Sequence, residues 1–170
     1  MKKYFGCIKI VLVLSVSACT LPVYTTRHGV NVYHKTTTLT PSQEEVESAI
    51  DYITNNLEHT EDIEGVNLHL YNELFYLFRT NGEAVVADGY TDVRLENVLI
   101  GVVRTCFVDS GLVHELAHVI RGGDPFHLDK KFWDNVKKVE KQIIKDLCPV
   151  GYIHIETPTN HEPGQILRRK

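Results

Sequence analysis

The sequence lacks three features that would each point to a large class of proteins. It has no stretch of twenty apolar residues, which argues against a conventional membrane-spanning helix. Basic residues are not in excess, since 18 Lys and Arg stand against 22 Asp and Glu, so no positive surface for nucleic acid is expected. The length of 170 residues is too short for an α/β barrel. With 43% hydrophobic residues and no internal repeat, the chain is predicted to fold around one core.

The N-terminus has the pattern of a secretory signal. A basic start at residues 2–3 precedes an apolar stretch at residues 10–16, which is too short to span a membrane comfortably. The Val-Ser-Ala-Cys run that ends at Cys19 resembles the bacterial lipobox. The resemblance implies a signal peptide at 1–18 and lipidation of Cys19. The protein would then be lipid-anchored in the cell envelope, on the periplasmic face of the outer membrane in a Gram-negative cell; otherwise it would be secreted.

The remainder of the chain is predicted to contain a single domain. Residues 19–28 carry little apolar periodicity and are interpreted as a lipidated tether. Residues 29–157 are predicted to be the folded domain, and residues 158–170 a loose C-terminal tail. The order of the predicted elements, a helix, several strands and then two helices, is typical of an α+β domain.

Apolar periodicity and turn residues locate the individual elements. Helices are predicted at 41–57, at about 111–121 and at about 130–147. Strands are predicted at 29–34, 65–71, 83–88, 97–108 (as one or two strands) and 151–156, whereas 73–79 fits either a strand or a helical turn. Turns are predicted at residues 81–82 and 88–89.

Residues at the ends of the predicted helices favour these boundaries. Thr40 and Gln43 have the spacing of a capping box, with a Pro between them at the first helical position. Asp109 and Ser110 are both suitable N-caps for the second helix, which a Gly-Gly pair at 122–123 should end. Asp129 is predicted to cap the third helix.

A metal-binding pattern, His114-Glu115-Leu116-Ala117-His118, lies on the second predicted helix. Two His four residues apart project from the same helical face, so both imidazoles can reach one ion. Zinc takes neutral imidazole nitrogens and in catalytic sites keeps an open position, where it acidifies water. Glu115 can reach that position and take the proton during attack on a carbonyl. The rest of the helix is apolar, so burying these polar groups without a partner would be costly, which favours a metal site.

The segment from His114 to Trp133 resembles the zincin-like metallopeptidases, and within them the WLM and SprT-like groups. The resemblance depends on the His-Glu-Leu-Ala-His motif, a short Gly-containing loop, and a His followed by a polar stretch and an aromatic residue on the next helix. It implies a small zincin-like domain, in which a twisted sheet packs against the motif helix and flanking helices. It also implies zinc-dependent hydrolysis, with His114, His118 and His127 as zinc ligands and Glu115 as catalytic base.

Three residues compete for the third position around the zinc. His127 is favoured because catalytic zinc commonly takes three His and because the residues after it carry the family resemblance. Asp124 lies six residues after His118, the spacing that those groups use more often. The Pro that follows Asp124 favours an extended conformation there, and Asp124 could instead bind a ring nitrogen of a ligand His. Glu140 would require the last helix to cross the motif helix closely.

The cysteines suggest a possible disulfide. Cleavage of the signal would remove Cys7, and lipidation would use Cys19. Cys106 and Cys148 would then remain in an oxidising compartment, on either side of the motif helix and the helix that follows it. The sequence therefore predicts that these two residues pair.

The combined prediction is a zinc metallopeptidase with a peptide or protein substrate, a membrane contact through the lipid and no nucleic-acid partner. The resemblance further implies that the strand around residues 97–104 pairs with an extended substrate. Tyr152 and His154 are candidates for holding the oxyanion, although packing is the more common role of such residues. The alternative function is a non-catalytic zinc-binding envelope lipoprotein that acts as an interaction module.

Overall fold

The computed structural model describes residues 21–35, 40–58, 61–78, 84–92, 96–124 and 126–154. The predicted signal, the lipidation site Cys19, the turn at residues 81–82 and the tail at 158–170 lie outside these ranges, as does the predicted end of the domain at residue 157. Within them, no helix is both long enough and apolar enough to cross a membrane.

The described ranges contain seven strands and three α-helices, so the predicted α+β class is confirmed. The strands are β1 (Tyr24–Thr25), β2 (Asn31–His34), β3 (Asn67–Tyr71), β4 (Phe75–Phe78), β5 (Ala84–Ala87), β6 (Gly89–Asp92) and β7 (Asn97–Gly101). The helices are α1 (Gln43–Asn56), α2 (Leu112–Ile120) and α3 (Lys130–Leu147). Within the ambiguous run at 73–79, residues 75–78 form strand β4.

Five strands form one twisted sheet in the order β1-β2-β3-β7-β6. The central strands β2, β3 and β7 are parallel, whereas β1 and β6 run antiparallel at the two edges. Strands β4 and β5 form a separate antiparallel pair. Because β7 is paired with β3 on one side and β6 on the other, it has no free edge for a substrate. The prediction that the strand around 97–104 pairs with substrate is therefore wrong, since the edge strand on this side of the sheet is β6.

Alternating residues of the sheet contribute to a single core. One face carries fully buried aliphatic side chains on the three parallel strands: Val32, Leu68, Leu70, Val98 and Ile100. These pack in one cluster with the apolar faces of all three helices. The residues that precede Val32, Leu68 and Val98 alternate to the other face of the sheet. They are Asn31, Asn67 and Asn97, and they are half-buried. The chain therefore buries one face of the sheet under its helices.

Helix α1 is capped two residues later than the sequence analysis predicted. Ser42, rather than Thr40, is the N-cap, and its hydroxyl accepts a hydrogen bond from the backbone N–H of Glu45. The Glu45 carboxylate accepts in return from the backbone N–H of Ser42 at 2.7 Å. The expected capping-box spacing of three residues is present, but Pro41 precedes the cap instead of occupying the first helical position.

Two short strands escaped prediction because each is recognisable only by the strand with which it pairs. Strand β1 lies within the predicted tether and pairs with Val32 and Asn31. Strand β6 lies where only a turn was predicted and pairs with β7. A strand of two to four residues has too few alternations to produce a periodic signal. The folded part of the chain thus begins before residue 29.

Two predicted strand segments are irregular instead. Strand β7 ends at Gly101, and Arg104 then turns back to donate to the carbonyl oxygen and the carboxylate of Asp109, at 2.6 and 2.7 Å. The described part of 151–156, residues 151–154, is not a strand, because Tyr152 and His154 also bind Asp109. The side-chain contacts of one buried carboxylate replace sheet pairing in both segments.

A disulfide joins Cys106 to Cys148, with 5.5 Å between their Cα atoms. Cys106 precedes α2, and Cys148 is the C-cap of α3. The bridge therefore fixes the end of the last helix to the segment that leads into the motif helix. Leu147, the last residue of α3, is 40% exposed, whereas Ile144 one turn earlier is buried.

Candidate metal centre

Helix α2 carries the metal-binding motif and is bounded by glycines at both ends. Its N-cap is Gly111, with φ of 76°, and no side chain caps the first turn. The predicted caps Asp109 and Ser110 are therefore wrong, since Asp109 is engaged by Arg104 and by the C-terminal segment. At the other end, Gly122 and Gly123 adopt positive φ values of 68° and 86°, which end the helix as predicted.

The structure brings His114, His118 and His127 together. One nitrogen from each ring lies within 4.8 Å of the corresponding nitrogens of the other two, and all three side chains are half-buried. Nε2 of His118 and Nε2 of His127 are 3.5 Å apart. Zinc–nitrogen bonds of about 2.0–2.1 Å in a tetrahedron require nitrogens roughly 3.3 Å apart. The spacing of these two nitrogens and the neutral imidazole donors therefore fit zinc.

His127 reaches this position through an unusual backbone conformation. Its φ is 52°, in the left-handed region that non-glycine residues seldom adopt. Such a conformation persists only where surrounding contacts impose it, and it is commonest at functional sites. The loop between α2 and α3 thus folds back far enough to bring a His nine residues after His118 beside it.

Asp124 holds this loop and does not join the three His. Its carboxylate accepts hydrogen bonds from the backbone N–H groups of Leu128 at 3.0 Å and Asp129 at 3.1 Å. It also accepts one from the indole N–H of Trp133 at 2.9 Å. Burial opposes ionisation of Asp124, but these hydrogen bonds outweigh it and lower the pKa of the carboxyl. Its role is to fix the loop around His127.

Trp133 forms an aromatic wall against all three His rings. Its ring centroid lies 3.9 Å from that of His127, 4.7 Å from His118 and 5.3 Å from His114. The side chain is only 5% exposed. Sequence reasoning placed Trp133 on an amphipathic helix but gave it no contact with the site. The available signal was its position in the first turn of α3, six residues after His127.

Glu115 follows His114 on α2, and its side chain is buried against strand β6. It is 6% exposed, and the hydroxyl of Thr91 on β6 lies 2.7 Å from its Oε2. Burial raises the pKa of Glu115 from its usual 4.5 to about 8, and the nearby carboxylates of Asp88 and Glu140 act in the same direction. A dication bound by the three His would oppose this shift, since it favours the ionised form.

Glu140 and the C-terminal pair Tyr152 and His154 do not join the three His. Glu140 is half-buried on α3 and is not among the clustered ligand atoms of the described residues, and burial raises its pKa. The Tyr152 hydroxyl donates to Asp109 Oδ2 at 2.6 Å, and His154 Nδ1 lies 2.7 Å from Asp109 Oδ1. Both side chains are therefore engaged with Asp109, which argues against their predicted role at an oxyanion.

No family model, curated protein or solved structure matches this chain.

Proposed function

We propose that this protein is a zinc-dependent peptidase, in which His114, His118 and His127 hold the ion and Glu115 acts as general base. The observation that carries the proposal is the convergence of three imidazole nitrogens, mutually within 4.8 Å, two of which belong to the helix that also carries Glu115. Three neutral nitrogen donors with a fourth position left open are typical of catalytic rather than structural zinc sites. Bound zinc would acidify a water molecule and polarise the carbonyl of the substrate.

The part played by Glu115 is the transfer of one proton. Its carboxylate accepts a proton from the attacking water and then delivers it to the nitrogen of the leaving amine as the peptide bond breaks. The carboxyl is shielded from bulk water, so its charge is little screened and competing proton exchange is limited. Catalysis requires the ionised form, which the positive charge of the ion would favour.

An extended peptide is the substrate that suits the neighbouring strand. Strand β6 is the edge strand nearest the motif helix, because its Thr91 contacts Glu115 directly. Backbone groups on the outer side of an edge strand can pair with a further strand. A peptide bound along β6 would bring its backbone close to Glu115, which supports peptide-bond hydrolysis over other acyl transfer.

The cellular setting is also a proposal. The parallel strands, edge strand and motif helix fit a small zincin-like domain, and the lipobox-like sequence ending at Cys19 suggests an envelope lipoprotein. The disulfide between Cys106 and Cys148 supports an oxidising compartment outside the cytosol.

The test compares wild type with Glu115→Gln, and with Glu58→Gln as a control on an exposed carboxylate. The readouts are bound zinc and cleavage of a fluorescently labelled unfolded protein, with and without chelator. Glu115→Gln should keep its zinc and lose about 10²–10⁴-fold in turnover, because an amide cannot accept the proton. Glu58→Gln should match wild type.

Two outcomes would contradict the proposal in different ways. Cleavage by Glu115→Gln at near the wild-type rate would remove Glu115 from the mechanism. A wild-type protein that binds zinc but cleaves no substrate would favour the alternative, a zinc-binding interaction module.

A further inference from the structure

Strand β6 lies directly against the side chain of Glu115. Gly89 and Thr91 are two residues apart, so they face the same side of the strand, towards α2. The Thr91 hydroxyl is 2.7 Å from Oε2 of Glu115 and 2.9 Å from its backbone carbonyl oxygen. One residue of β6 therefore contacts both the functional group and the backbone of the proposed base.

Gly89 allows this close approach. A Cβ atom at position 89 would lie 2.5 Å from Cγ of Glu115 and 3.0 Å from its Cδ and Oε1. These distances are well inside van der Waals contact, so any side chain at position 89 would displace that of Glu115. The backbone of β6 at Gly89 thus packs directly against the side chain of Glu115.

We propose that Gly89 and Thr91 position Glu115 for catalysis, Gly89 by letting the strand lie against its side chain and Thr91 by fixing Oε2 through a hydrogen bond. This inference rests on the proposed function. Thr91 acts through Glu115 and is a positioning residue. Its hydroxyl has one hydrogen, and an ionised carboxylate is the stronger of its two acceptors, so the bond to Oε2 fixes the direction of the carboxylate.

Glu115 needs such support because its side chain is long. Three rotatable bonds separate the carboxylate from the helix backbone, so α2 alone does not determine where the oxygens lie. Displacing a catalytic group by about 1 Å can cost roughly 10²-fold in rate. A hydrogen bond from a neighbouring sheet strand supplies the orientation that the helix does not.

The first test replaces the hydroxyl without changing the shape of the side chain. Thr91→Val is nearly isosteric and keeps the β-branch, whereas Thr91→Ser keeps the hydroxyl. Thr91→Val should lower kcat about 10–100-fold, with KM changed by less than about threefold and zinc content unchanged. Thr91→Ser should recover most of the lost kcat. Loss of a purely structural residue would not lower kcat while leaving KM and the zinc content nearly unchanged.

The second test needs no activity and uses the metal-free protein. A double-mutant cycle combines Thr91→Val with Glu115→Met, which removes the carboxyl but keeps an unbranched side chain. Thr91→Val alone should lower the Tm by roughly 3–6 °C, because it leaves a buried carboxyl without its hydrogen bond. In the Glu115→Met background, the same substitution should lower the Tm by less than half as much.

The outcomes separate the inference from the proposed function. An additive cycle, or a Thr91→Val variant with wild-type kcat, would overturn the positioning role while leaving the peptidase proposal intact. A wild-type protein without hydrolytic activity would overturn the function instead, whatever the cycle shows. If Thr91→Val does not fold, Thr91→Ala removes the same hydroxyl without added bulk and carries the same expectations.

Discussion

Helices α1 and α2 pack into the same core but obtain their stability from different parts of the chain. Helix α1 begins at a complete capping box formed by Ser42 and Glu45. Its buried polar side chain, Thr54, donates to the carbonyl oxygen of Ile50 in the same helix at 2.9 Å. The one polar side chain that α1 buries therefore finds its hydrogen-bond acceptor within α1, four positions earlier.

Helix α2 depends on contacts from outside itself. It begins at Gly111 without a side-chain cap, and its buried carboxyl, Glu115, is bound by Thr91 of the sheet. Its two His meet a third on the following loop and pack against Trp133 of α3. Helix α1 is thus stabilised by contacts within itself, whereas α2 lacks a side-chain cap and its polar groups contact other elements.

The largest expected effect is the loss of metal when one of the three His is removed. His118→Ala should lower zinc affinity at least about 100-fold, because two nitrogen donors remain. The matched control is His28→Ala. His28 is also half-buried, and its Nε2 lies 2.7 Å from Asp51 of α1. Equilibrium dialysis with zinc should show full binding by His28→Ala, and unchanged binding by His118→Ala would refute the site.

A smaller effect concerns the stability of the metal-free protein as a function of pH. The pKa of Glu115 is raised from 4.5 to about 8, so the unfolded chain ionises this group at lower pH than the folded chain. Its contribution is present in full below pH 4.5 and is lost as the pH rises towards 8, by at most about 5 kcal/mol. Denaturant unfolding should show a steeper loss in wild type than in Glu115→Gln. Parallel pH profiles for the two proteins would contradict the burial of this carboxyl.

The disulfide should stabilise the side of the molecule that carries α2 and α3. Cys106 and Cys148 are 42 residues apart, and closing such a loop contributes about 4 kcal/mol on the chain-entropy estimate, less any strain. Reduction of the wild type with dithiothreitol should lower the free energy of unfolding by up to that amount. A Cys106→Ala, Cys148→Ala variant serves as the control and should be insensitive to the reductant.

The smallest expected effect is a difference in stability between cap variants at the N-termini of α1 and α2. Ser42→Ala should destabilise the protein by about 1 kcal/mol, because it removes a side-chain cap of α1. Ser110→Ala should be close to neutral. Ser110 is fully buried just before α2, and its hydroxyl has no hydrogen-bond partner among the residues that the structure describes. Equal losses of stability in the two variants would mean that α2 is capped after all.

The sequence predicted those parts of the site that depend on local geometry. His114 and His118 share a helical face because of their spacing, and Asp129 caps α3, where it accepts from the backbone N–H of Phe132. His127 was favoured on its chemistry and on a family resemblance, against the better spacing of Asp124. The structure brings His127 to the other two.

The parts that escaped prediction depend on strand pairing and on side-chain contacts between different elements. Thr91 contacts Glu115 only because β6 folds onto β7, and no periodicity in four residues signals that arrangement. The same pairing makes β7 an interior strand. Asp109 was an acceptable helix cap by residue type, but its partners lie at positions 104 and 152–154. Side-chain contacts across the fold decided between roles that the local sequence permits equally.

The carboxylate of Asp124 makes the loop of His127 and the first turn of α3 a single cooperative unit. It accepts from two backbone N–H groups of that junction and from Trp133. Opening the loop would therefore break the contacts of the helix start, and fraying of the helix would release the loop. The residence time of an ion at the three His would then be governed by local unfolding of α3, rather than by the strength of the metal–nitrogen bonds alone.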